Sequence, residues 1–149
     1  MTFTLDNIIN SVAGVLKERY GGYPVYTSAN QQGTKFPCFF IFFLPSTIES
    51  QTDRRFLRDL AMDIIFVQQR NIVNGNAGIR EIADYLDERL ELIPYSDGSG
   101  ELAYIPTYER QWQSEDGELH YQFHIRQRVV VAENNVLMRE MEENNAKVK

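Results

Sequence analysis

Residues Lys35 to Pro45 read KFPCFFIFFLP, with six consecutive large apolar side chains from Phe39 to Leu44. A helix that spans a bilayer needs ~20 apolar residues, so the run is too short to be an anchor. In an extended chain Phe39, Ile41 and Phe43 point one way and Phe40, Phe42 and Leu44 the other. A strand that is apolar on both faces has to be covered on both. Pro37 and Pro45 suit its ends, where a ladder hydrogen bond is dispensable. The run therefore reads as a central strand with two coverings, a helical layer on one side and either a second helix or a neighbouring chain on the other.

What surrounds it supplies the helices. Leu5, Ile8, Ile9, Val12, Val15, Leu16 and Tyr20 recur at helical spacing, with Thr4 or Asp6 to cap the start and Gly21-Gly22 to stop it. Gly14 inside this helix suggests close packing there. YPVYT (Tyr23 to Thr27) is a short strand candidate. After the apolar run, RFLRDLAMDIIFVQQ alternates Leu60, Met62, Ile64 and Phe66 with a mixed face of Ala61, Asp63, Ile65 and Val67. The two strands predict a long antiparallel hairpin with Gln51 to Arg55 near its tip. A second helix carries Ile79, Ile82, Ala83, Leu86, Leu90 and Ile93 on one stripe and ends at Pro94. LAYIPTYERQWQ and ELHYQFHIRQRVVV flank SEDG, a strong hairpin signal. The fold class expected is α+β: one domain with a largely antiparallel or mixed β-sheet packed by two main helices, and a short C-terminal helix or tail. We divide it into a domain over 1–133 and an arm over 134–149, in which Leu137, Met138 and Met141 are the apolar positions.

The totals agree with one domain of 149 residues and exclude several classes. Nine Phe, eight Tyr and one Trp argue for a packed chain. No basic-then-apolar leader opens it, so synthesis in the cytoplasm without export is the expectation. Cys38 is the sole cysteine, which rules out an internal disulfide, and its apolar neighbours predict a buried, inert thiol. A net charge of −6 is a poor basis for gripping nucleic acid.

No constellation with chemistry stands out. His120 and His124 stand four apart on an alternating strand, and extended backbone holds them too far apart to share an ion. DGSGE (Asp97 to Glu101) lacks the spacing of a calcium or phosphate loop, and GNAGIREIADYL is a helix start without a full GxGxxG. Asp84, Asp87, Glu88 and Glu91 read as a solvated helix face. GxSxG, HExxH and a Cys/His pair are missing. No catalytic, cofactor-binding or metal-ligating residue is nominated. Arg54, Arg55 and Arg58 form the main basic cluster. They read as a solvated, aggregation-resistant edge or as a contact with another subunit or partner, where Arg is favoured.

The order of blocks, from LKERYGGYPVYT through FPCFFIFFLP and RRFLRDLAMDIIF to GELHYQFHIRQRV, resembles the small tail terminator proteins of tailed phages and prophages of Gram-positive bacteria. The resemblance covers Leu5 to Val131, and MREMEENNAKVK departs from the pattern. It implies an α+β subunit that forms a ring, usually a hexamer, on the finished tail tube. Such a ring stops tube polymerisation at the head-proximal end of the virion tail and offers a surface to the neck, and in contractile tails to the sheath. The partners expected are the chain itself, the tail tube protein and sheath or connector proteins, with DNA passing through the lumen unbound and no membrane contact. Arg54, Arg55, Arg58, Leu137, Met138 and Met141 are the candidate subunit or tail-tube interface. A ring of identical copies needs two different patches that meet head to tail. The alternatives are another head–tail connector, such as a head-closure protein, and a small ligand-binding or enzymatic domain.

Overall fold

Two helices lie on one face of a five-stranded sheet. The computed structural model describes residues 3–28, 33–51, 54–68 and 75–130. Helix α1 spans Leu5–Tyr20, and the Thr4 hydroxyl accepts from the Asn7 amide at 3.1 Å. This is a side-chain cap for an orphan N–H. Its Ile8, Val12, Val15 and Leu16 are buried. Gly14 corrects one expectation: a Cβ there would meet nothing within 4 Å, so no close packing calls for glycine.

Strand β1 is the pair Val25–Tyr26, β2 runs Cys38–Ser50 and β3 runs Arg55–Val67. Helix α2 follows at Gly75–Arg89, then β4 Leu92–Ser96, β5 Leu102–Pro106, β6 Tyr108–Glu115 and β7 Glu118–Val130. The main sheet has the order β1-β2-β3-β7-β6, antiparallel except for β1, which runs parallel to β2. It is therefore mixed, within an α+β fold. β4 and β5 pair separately as a two-stranded ribbon. Asp116 and Gly117, the turn between β6 and β7, both have positive φ. That left-handed pair is what a two-residue hairpin needs.

One side of the sheet carries the core. Phe39 and Ile41 of β2, Leu60, Met62, Ile64 and Phe66 of β3, and Leu119, Tyr121, Phe123 and Ile125 of β7 pack under α1 and α2. Tyr85 of α2 donates to the Val15 carbonyl of α1 at 2.6 Å, which joins the helices inside. Arg19–Glu81 and Arg89–Glu18 join them outside, where exposed pairs add little.

Two boundaries depart from expectation. The second helix ends at Arg89, and Ile93 and Pro94 belong to strand β4, because Leu92–Ser96 pairs with Leu102–Pro106. LAYIPTYERQWQ is two strands in two sheets, broken at Thr107, whose hydroxyl donates to the Leu90 carbonyl. Among the described residues the apolar strand β2 is covered on one side: both helices lie on the Phe39–Ile41 side, and Phe40, Phe42 and Leu44 are not sealed into the core, which leaves a neighbouring chain as the open alternative for the second covering. The expected C-terminal arm, with Leu137, Met138 and Met141, lies outside the described residues.

Candidate assembly surfaces

The uncovered sheet face grades from apolar to polar. Tyr26, Phe40, Phe42 and Leu44 form its apolar side, with Ile65 and Ala61 opposite them on β3. The Tyr26 and Phe40 rings lie 5.5 Å apart, and those of Phe40 and Phe42 stack at 5.8 Å. Across β3 the same face turns polar on β7. His120 Nδ1 is 3.3 Å from Asp63 Oδ2, and its Nε2 is 3.3 Å from Glu118 Oε2. His124 Nδ1 is 2.8 Å from Asp59 Oδ1, with Glu109 on its other nitrogen at 3.5 Å. The histidines are thus half-buried between carboxylates, not plainly exposed. Asp63 is only 6% exposed, and its Oδ1 has no hydrogen-bond partner among the described residues.

The basic cluster divides. Arg54 sits in the hairpin turn at positive φ and Arg55 begins β3, both exposed. The Gln51 amide donates to the Arg55 carbonyl at 2.7 Å. Arg58 is not with them. It lies on the helix side of β3, where it donates to the Phe3 carbonyl at 3.2 Å and to Gln127 Oε1 at 2.9 Å. Burial lowers its pKa. Arg58 is a bracket between the N-terminus, β3 and β7.

A β-bulge shapes the hairpin. Leu44 pairs with Ala61, but Thr47 pairs with Asp59, so β2 holds one extra residue at Pro45-Ser46. The Ser46 hydroxyl donates to the Leu44 carbonyl at 3.0 Å and accepts from the Ala61 amide at 3.2 Å, filling the gap in the ladder. The slip by one reverses the alternation. Ile48 therefore comes to the helix side beside Arg58, beyond the reach of the helices.

The ribbon of β4 and β5 is a surface that sequence reasoning missed. Its inner face, Ile93, Tyr95 and Ile105, is buried, and the Tyr95 hydroxyl accepts from the Thr4 amide at 3.3 Å. Its outer face is apolar as well: Leu92, Pro94, Leu102, Tyr104 and Pro106. The strict alternation of exposed Leu102 and Tyr104 about Ala103 was the available signal.

Other groups have structural tasks. Tyr121 donates to Asp87 Oδ1 at 2.6 Å. Burial, followed by this bond, pushes its pKa well above the usual phenol value. Asp87 is thus tied to the sheet and is not simply a solvated acid. Cys38 is buried, and burial raises its thiol pKa, which keeps it in the unreactive form. Among the described residues no group of three or more His, Cys, Asp or Glu is arranged to hold a metal ion. No helix of the described residues is long and apolar enough to cross a membrane.

The chain is thus a two-layer α+β domain with an apolar strip on the sheet face that no described helix covers and apolar side chains on its outer ribbon. The chain belongs to the phage tail terminator protein family, which it matches over residues 7–136. This is a family of structural virion proteins that act in tail completion, so its members contact other tail proteins and reside in the virion tail. Among curated proteins no relative of the chain is found.

Proposed function

We propose that the chain terminates the tail: copies close into a ring, a hexamer as the resemblance implies, on the head-proximal end of the tube. The ring stops tube polymerisation and presents the joining surface to the head or neck, a task of assembly and not of catalysis. The observation that carries this, beside family membership, is the uncovered face of β2. Among the described residues no helix covers Phe40, Phe42 and Leu44, and an apolar sheet face of this kind is a surface made for burial against another chain. The unmatched Asp63 oxygen beneath it is a second sign that this is not the final surface, since an unsatisfied buried acceptor is costly.

In this arrangement the partners are further copies, the tube protein and sheath or neck proteins, assembled in the bacterial host cytoplasm. The net charge of −6 lets DNA pass the lumen without binding. Arg54, Arg55 and Arg58, with Leu137, Met138 and Met141 of the arm, are proposed to touch the neighbouring subunit or the tube. Removing the gene from its phage tests the proposal. Abnormally long tails are expected. Tails of normal length that fail to join heads would overturn it in favour of a connector role.

A further inference from the structure

The most exposed large apolar side chains fall in two places. Among the described residues they are Ile48 at 67%, Tyr104 at 61%, Leu102 at 59% and Leu92 at 50%. Three share the outward face of the β4–β5 ribbon, and Ile48 stands alone at the end of the β2–β3 hairpin. Their charged surroundings are opposite. Glu91 and Glu101 are exposed at the two ends of the ribbon's apolar face. The hairpin end bears Arg54 in its turn and Arg58 beside Ile48, with Arg55, Arg128 and Glu49 on the opposite face of the sheet.

We propose that the hairpin end of one copy docks on the outer ribbon of the next. Ile48 lies on Leu92, Leu102 and Tyr104, and Arg54 of the turn reaches Glu91 or Glu101. A single chain does not make this contact with itself. The ribbon's inner face is held on the core through Tyr95, so its outer face points away from the sheet that carries the hairpin. The two patches differ, as a head-to-tail contact requires, and such contacts close rings. The apolar area is smaller than the ~800 Å² per partner of a stable pair. The contact is therefore one of several between neighbours, and it gains from assembly on a tube. This inference rests on the ring proposed above and names the surfaces that build it.

Disulfide trapping in the full chain tests it. Ile48→Cys and Leu102→Cys are introduced together and singly, and the native Cys38 is buried and stays silent. Mild oxidation is applied to purified tails and to the concentrated chain. A ladder of covalent multimers that requires both cysteines is expected, and Tyr104→Cys in place of Leu102→Cys gives the same ladder. A cross-link confined to the monomer, dimers from either single variant, or no multimers in both samples would overturn the contact. If the cysteines stay unlinked while removal of the gene lengthens tails, this contact fails and the terminator stands. If the ladder forms while removal leaves tail length normal, the contact stands and the terminator fails.

Discussion

Arg55 and Arg58 lie three positions apart on one strand and so face opposite ways. Arg55 is exposed at the hairpin end, whereas Arg58 shares a face with Leu60, Met62, Ile64 and Phe66 and is bonded to Phe3 and Gln127. That shared parity was legible, and it separates Arg58 from the cluster that RRFLR suggests. Arg58→Ala strips Gln127 and the Phe3 carbonyl of a donor, and the expected loss is about 1–3 kcal/mol. Arg55→Ala leaves stability unchanged. Urea unfolding of both variants checks this contrast. Tyr121 offers a pH test. Its pKa in the folded chain is raised above the unfolded value of about 10. Its contribution is complete below pH ~10 and is lost as pH rises beyond it. The Tyr121→Phe chain is expected to lose about 1.5–3 kcal/mol at neutral pH, since Asp87 loses its donor. Its urea midpoint should then differ from the native one in its slope above about pH 10, because the native chain alone carries the phenol's titration.

At the scale of elements, periodicity carried most of the information. The helical stripe from Leu5 to Tyr20, the alternation in β3 and β7 and the Asp116-Gly117 turn each follow a local rule, and each is where the sequence places it. The ribbon was hidden for equally physical reasons. Ile93 falls in phase with the stripe of the preceding helix, and Pro94 reads as its stop. Yet β4 forms there because Leu102–Pro106 pairs with it at long range, which no local pattern records. The bulge at Pro45-Ser46 is similar. A proline near a strand end reads as the end, but the Ser46 hydroxyl carries the ladder past it for four more residues, Thr47 to Ser50. The ribbon, which was left unread, and the far end of the hairpin, whose tip at Gln51 to Arg55 was read though the bulge was not, hold the exposed apolar side chains from which the further contact is drawn.

For the whole molecule, KFPCFFIFFLP correctly announces a strand with two apolar faces, but not which side the helices take. Both α1 and α2 are amphipathic, and nothing in either stripe says that they share a side. Only the structure places them together and leaves Phe40, Phe42 and Leu44 without a helix over them among the described residues. The central claim is that this open face is consumed when the terminator assembles and ends the tube. Phe42→Lys tests it most directly. The cation stands opposite Asp63, so the fold tolerates it, while the apolar strip loses Phe42 and gains a charged side chain whose desolvation against a partner is costly. Tail length is measured by electron microscopy in phage that carry the variant in place of the native chain, after circular dichroism and urea unfolding have established a native fold. We predict abnormally long tails. Tails of normal length from a natively folded Phe42→Lys chain would contradict the account.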